Sequence, residues 1–127
     1  MTALETPPST TGTEAGWTRV CATADLEPDR GVRALVDGEA VAVFVTSFSG
    51  LHAVGDVDPF TGASVLSRGL VGATIVDGHP VPYVASPLRK QRIDLRDGRS
   101  LDDPTTTAGA WAARVRDGWV EIGPRVS

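Results

Sequence analysis

Arg33-Ala34-Leu35-Val36-Asp37-Gly38-Glu39-Ala40-Val41-Ala42-Val43-Phe44-Val45 is the stretch that decides the fold. Two apolar, β-branched runs flank an Asp-Gly pair. Asp-Gly readily adopts the positive φ angles that a two-residue hairpin turn demands, so the stretch predicts a β-hairpin. Its second arm, Ala40 to Val45, has no polar residue at any position, and it is expected to be the most buried strand.

The same punctuation recurs outward along the chain. Asp77-Gly78 separates Thr74-Ile75-Val76 from Val81-Pro82-Tyr83-Val84, and Asp117-Gly118 separates Ala113-Arg114-Val115-Arg116 from Trp119-Val120-Glu121-Ile122. Asp97-Gly98 lies between Arg92-Ile93-Asp94-Leu95 and Ser100-Leu101. Thr18 to Ala22 and Leu51 to Val54 are further strands by composition. Pro80 and Pro82 predict that the Val81–Val84 run is an edge or irregular strand, since proline donates no ladder hydrogen bond. Helical periodicity is confined to one short turn, Ser64 to Arg68, ended by Gly69. Short strands at regular spacing predict an all-β sandwich or barrel, with Trp17, Trp111 and Trp119 packing near its rims.

The 127 residues suit one domain, and neither the 41% hydrophobic fraction nor the net charge of −4 departs from an ordinary globular chain. Residues 1–16, rich in Thr, Pro, Ser and Gly, are expected to be a disordered tail. The domain is placed at 17–123 and a short C-terminal tail at 124–127. A single cysteine, Cys21, excludes an intrachain disulfide and any site built from several thiolates. It lies in an apolar run and is read as a buried structural thiol. No apolar run approaches the roughly 18–20 residues of a membrane span, and no secretory leader is visible. The expected location is cytoplasmic. Mild acidity argues against a nucleic-acid partner.

No nucleophile–base arrangement, dinucleotide fingerprint or phosphate loop is present, so no catalytic and no cofactor-binding residue is expected in this chain. The two histidines, His52 and His79, lie apart and read as ordinary polar residues. Charge is uneven: residues 68–99 hold six of the twelve basic and three of the sixteen acidic side chains, net +3 against −7 elsewhere. Arg89, Lys90 and Arg92 cluster within that segment, either as a solvated face or as a docking patch for an acidic surface.

Two proline loops stand towards the two ends of the stretch from Asp58 to Leu95, Asp58-Pro59-Phe60-Thr61-Gly62-Ala63 and Ser86-Pro87-Leu88-Arg89-Lys90-Gln91. They resemble the two loops of Rieske-type iron–sulfur domains, which carry Cys-x-His and Cys-x-x-His. Here Asp58, Phe60, Ser86 and Arg89 stand at the four ligand positions. Hard oxygens, a phenyl ring and a cation do not make a metal site, so no metal is expected.

A closer resemblance is to the small subunit of the cytoplasmic NAD(P)H-dependent nitrite reductase. It rests on Asp58-Pro59-Phe60, Val65-Leu66-Ser67-Arg68-Gly69-Leu70-Val71-Gly72, Val84 to Gln91 and Asp97-Gly98-Arg99-Ser100-Leu101. It covers roughly residues 17–122. The resemblance implies a Rieske-like fold without a cluster, as a subunit of an enzyme of nitrate assimilation that reduces nitrite to ammonia. The isolated chain is not expected to be catalytic. FAD, siroheme and an iron–sulfur cluster are then expected in the large subunit, and the large subunit is the expected partner. A free-standing interaction domain for another oxidoreductase is the alternative. Phe60, Arg68, Leu88, Arg89, Lys90 and Arg92 are the docking candidates, and a charge-assisted Arg89–Asp58 bond is expected to tie the two loops.

Overall fold

Three Asp-Gly pairs close the hairpins. Asp37, Asp77 and Asp117 have φ of 50, 51 and 53°, and the glycines that follow them have φ of 83, 80 and 80°. Both central residues are left-handed, as a turn matched to the twist of its strands requires. At Asp97-Gly98 only Gly98 has a positive φ, and that pair closes a tight loop rather than a regular hairpin.

The computed structural model describes residues 16–127, so most of the expected N-terminal tail lies outside the described residues. The strands are β1 (Thr18–Ala22), β2 (Val32–Val36), β3 (Glu39–Thr46), β4 (Gly50–Gly55), β5 (Leu70–Val76), β6 (His79–Ala85), β7 (Arg92–Asp94), β8 (Ala110–Arg116) and β9 (Trp119–Arg125). Six of them form an antiparallel sheet in the order β1-β9-β8-β4-β3-β2, whose outer strands β1 and β2 approach each other to give a near-barrel. The other three form a small sheet, β5-β6-β7. The turn Ser64–Arg68 is a single 3-10 turn over Leu66–Arg68.

Two cores follow from this layering, and β3 serves both. Ala42 and Phe44 point to one side with Val54, Leu66, Val84, Ile93, Leu95 and Ala110, between the sheets. Val41 and Val43 point to the other with Val36, Ala53, Trp111, Val120 and Ile122, inside the near-barrel. Successive side chains alternate across a strand. A strand covered on both faces therefore reads as a continuous apolar run, as Ala40 to Val45 does.

Two expectations are corrected. The Val81–Val84 run belongs to β6, which is the central strand of its sheet and not an edge. Its prolines face Ala73 and Ile75 of β5, positions at which no β5–β6 hydrogen bond is needed. At the C-terminus β9 continues through Pro124 to Arg125, and Val126 N–H donates to Ala110 O (2.8 Å). Residues from 124 onward thus extend the sheet instead of forming a tail.

Among the buried polar groups outside both cores, one is held between two arginines. Glu121 on β9 is 1% exposed and sits between Arg19 of β1 and Arg114 of β8, its direct neighbours across the sheet. The two guanidinium Nε atoms donate to its carboxylate at 3.1 and 2.8 Å. Each arginine also lies over a tryptophan, Arg114 over Trp17 at 3.9 Å and Arg19 over Trp119 at 5.4 Å. Trp17 in turn lies flat on Gly123, where an added Cβ would come within 2.8 Å of the ring.

Candidate functional site

The two proline loops meet at one end of the molecule, the first built around two buried carboxylates and the second around the buried Ser86 hydroxyl. The first loop leaves β4 at Asp56, which is fully buried. One oxygen accepts from Ser67 N–H (2.6 Å) and the other from the Ser64 hydroxyl, with the Arg33 guanidinium 3.3 Å away. Its backbone carbonyl accepts from Val65 and Leu66. Asp56 therefore gathers the whole of residues 64–67 around itself. Its partners lie 8 and 11 residues away or on another strand, so no local pattern in the sequence marks it.

Asp58 sets the tip. Oδ1 accepts from Phe60 N–H (2.8 Å), an Asx turn, and Oδ2 accepts from the Ser86 hydroxyl of the second loop (2.6 Å). Asp58 and Ser86 are both buried. Ser86 Oγ also accepts from Leu88 N–H (3.2 Å), and the Ser86 backbone bonds Gln91 O and Lys90 N–H. The loops are thus tied through two of the four aligned positions, Asp58 and Ser86. The expected Arg89–Asp58 bond is not formed. Arg89 is exposed and makes no side-chain bond to any described residue, because the Oδ2 it would have engaged already holds the Ser86 hydroxyl.

The remaining candidates separate by environment. Phe60 is half-buried and packs on the inter-sheet core. Leu88 is 55% exposed at the tip of the second loop. Arg68, Arg89 and Lys90 are exposed and without a side-chain partner among the described residues, and Lys90 holds a left-handed φ of 62°. Arg92 is committed elsewhere: its backbone and guanidinium donate to Asp102 at 3.0 and 3.1 Å, and the guanidinium lies 5.7 Å over the Tyr83 ring. The Arg92 bonds hold the Asp102 carboxyl below its usual range. Gly69 brings the 66–70 segment against Val84 and Ala85, and Leu70 pairs with Ala85. Arg68 and Leu70 therefore border the Pro87–Lys90 tip, so that this end presents exposed apolar side chains among unpaired cations.

His52 and Cys21 stand apart from it. Burial, with a smaller effect from Asp25, pushes the Cys21 thiol up, which suits an inert thiol. His52 Nε2 lies 2.9 Å from Ser49 Oγ, and the Ser49 hydroxyl in turn contacts Thr46. Burial pushes the imidazole down and Arg96 adds to this, while Asp94 and the Ser49 backbone oppose it. A lowered folded-state value means that the unfolded chain binds the proton more readily. The His52 contribution to stability is therefore complete above the unfolded value of about 6.5 and is lost as pH falls through the folded value. Thermal melts from about pH 7.5 to about pH 5 should fall more steeply for the wild type than for His52→Gln. Parallel profiles would remove His52 from the acid response.

Comparison with known proteins gives the relatives of this fold. Residues 16–123 match the family of Rieske-like 2Fe-2S domains. The chain is 42% identical over 107 residues to the nitrite reductase (NADH) small subunit of Salmonella typhimurium, covering 84% of this chain and 95% of that one. A solved structure of an NADH-dependent nitrite reductase small subunit from Mycobacterium tuberculosis superposes with a TM-score of 0.77 at 44% identity, over 87% of this chain and 96% of that chain. An NAD(P)H nitrite reductase large subunit from Klebsiella oxytoca also matches, at 36% identity over 84% of this chain and 11% of that protein.

The residues at the two loops do not fit an iron–sulfur cluster. Such a centre needs thiolates or imidazoles. Asp58 and Ser86 hold each other's oxygens, Phe60 has no donor atom, and Arg89 is a cation. Cys21 lies on β1, and His52 and His79 lie on β4 and β6.

Proposed function

Since the chain belongs to the Rieske-like domain family, and within it to the nitrite reductase small subunits, we propose that it is the small, non-catalytic subunit of a cytoplasmic NAD(P)H nitrite reductase of nitrate assimilation. In this reading it docks on the large subunit through the end that carries the two loops and holds no redox cofactor itself. FAD, siroheme and an iron–sulfur cluster belong to the large subunit, which performs the chemistry. The observation that carries the docking surface is the exposed Leu88 among Arg68, Arg89 and Lys90, cations with no partner within the described chain. An apolar centre with a basic rim fits an acidic partner surface. The Klebsiella relative supports the pairing, because a segment like this chain forms part of a large subunit there. No helix among the described residues is long and apolar enough to cross a membrane.

What this chain's residues do is positional. The Asp58–Ser86 bond fixes the spacing of the loop bases, Phe60 anchors the first loop on the core, and the second loop projects Leu88, Arg89 and Lys90 outward. Reconstitution of the two subunits tests this. Arg89→Ala with Lys90→Ala is expected to weaken assembly roughly tenfold, about 1.4 kcal/mol, to reduce the salt dependence of binding, and to lower nitrite-dependent NAD(P)H oxidation in proportion to the complex lost. Unchanged assembly would remove the docking surface. Full activity of the large subunit without this chain would remove the subunit role.

A further inference from the structure

The small sheet has one edge that nothing in the described chain covers. β7 is screened at its outer side by residues 99–101, through Asp94 N–H to Arg99 O and Leu101 N–H to Arg92 O, each 2.8 Å. The outer strands of the large sheet approach each other. β5 has β6 on one side and no strand on the other.

The prolines of β6 fix which β5 groups point off that edge. Pro82 O accepts from Leu95 N–H (3.0 Å), and Ser86 N–H donates to Gln91 O (2.9 Å), both on the β7 side. A strand residue directs its N–H and C=O the same way, and the direction alternates along the strand. Pro82 thus bonds away from β5, and Ala73, its partner across the pair, is a non-hydrogen-bonded position. The N–H and C=O of Val71, Ala73 and Ile75 therefore point outward.

This edge lacks the usual protections. Chains blunt an exposed edge with charge, proline or a bulge. β5, Leu70-Val71-Gly72-Ala73-Thr74-Ile75-Val76, has no charge and no proline, and its pairing with β6 runs without a register shift. Leu70 is 78%, Ile75 67% and Val76 41% exposed. The strand is also complementary to itself. Turned about Ala73, it sets Leu70 against Val76, Val71 against Ile75 and Gly72 against Thr74, so that apolar meets apolar and small meets small. The outward-bonding positions 71, 73 and 75 map onto one another under the same turn. Beyond the strand ends, Arg68 of one copy comes beside the Asp77-Gly78 turn of the other, and neither charged side chain has a partner within the described chain.

We propose that the open edge of β5 is a dimer interface, pairing antiparallel with β5 of a second copy about a two-fold axis at Ala73. The two small sheets then join into one continuous sheet. The pairing is closed and isologous; it leaves Leu88, Arg89 and Lys90 outside the strand pair and meets the docking end only at Arg68 and Leu70.

Sedimentation of the purified full-length chain over a concentration series tests it, with hydrogen exchange on the same samples. The expected result is a concentration-dependent doubling of mass, with slower exchange at the Val71, Ala73 and Ile75 amides as the dimer fills. Ala73→Lys should leave a folded monomer by circular dichroism, since two like charges would meet on the axis. In a Cys21→Ser background, Ala73→Cys should cross-link to itself on mild oxidation, because hydrogen-bonded partners stand about 5.5 Å apart, whereas Leu88→Cys should not. A monomer at all concentrations would overturn the proposal. So would a dimer that Ala73→Lys leaves intact and Ala73→Cys fails to cross-link, or amides in β5 that slow only when the large subunit is added.

Discussion

Glu121→Gln is expected to cost about 3 kcal/mol of stability and to lower the thermal midpoint by roughly 10 °C, read by calorimetry at neutral pH. The carboxylate is 1% exposed, while Arg19 and Arg114 are 22% and 29% exposed. The buried anion is thus enclosed by two cations that still reach water. Gln removes the charge that both guanidinium groups satisfy, and it places an N–H donor against one of them. The arginines then lose the bonds that hold them over Trp17 and Trp119, so part of the cost is packing. The complementary variants differ in kind. Arg114→Met leaves the carboxylate buried with one guanidinium donor fewer, whereas replacing Arg19, Glu121 and Arg114 together by Met removes the buried anion along with both guanidinium groups that hold it. Breaking a buried pair is costly and replacing it whole is often neutral, so the triple variant should be more stable than Glu121→Gln. A Glu121→Gln midpoint within about 2 °C of wild type would show that the cluster is ornamental to stability.

That cluster was invisible in the sequence, and the reason is sequence separation. Arg19 and Glu121 are 102 residues apart, and an alternating charged position on a strand reads as a solvated face until its neighbours are known. What was legible was local. Asp-Gly pairs placed three hairpins because that dipeptide tolerates left-handed angles, and the apolar run of β3 announced a strand covered on both faces. The prolines of β6 do not mark an edge, because composition shows that an N–H is missing but not which neighbour it would have faced. The loops are legible as a pair, but the bond between them is made by Ser86 and not by the expected Arg89. Arg89 carries the formal charge that attracts a carboxylate, but Asp58 is buried. A buried oxygen is satisfied by the short hydroxyl of Ser86 at less desolvation cost than by a long cation drawn in from solvent.

Ser86→Ala follows from that bond and is expected to cost about 2–3 kcal/mol. The substitution removes little volume. It leaves Asp58 Oδ2 without the hydroxyl that donates to it at 2.6 Å, and it also takes from Leu88 N–H its acceptor at 3.2 Å. An unsatisfied buried carboxylate oxygen is what sets the size of the effect, since Asp58 is 1% exposed. Asp58→Ala should cost at least as much, because it also frees Phe60 N–H from its Asx turn. The double variant should cost less than the sum of the two, the shortfall measuring the bond in a double-mutant cycle. Ser86→Thr, which keeps the hydroxyl, should recover part of the loss if the added methyl is accommodated. The consequence for function is separable from the loss of stability. At a temperature where Ser86→Ala remains folded, the tip carrying Leu88, Arg89 and Lys90 is no longer fixed to the first loop, and binding to the large subunit should weaken through faster dissociation while the salt dependence, set by charges the variant retains, stays as in wild type. Independent single costs, with no coupling between Asp58 and Ser86, would show that the two loops are held together by the core alone.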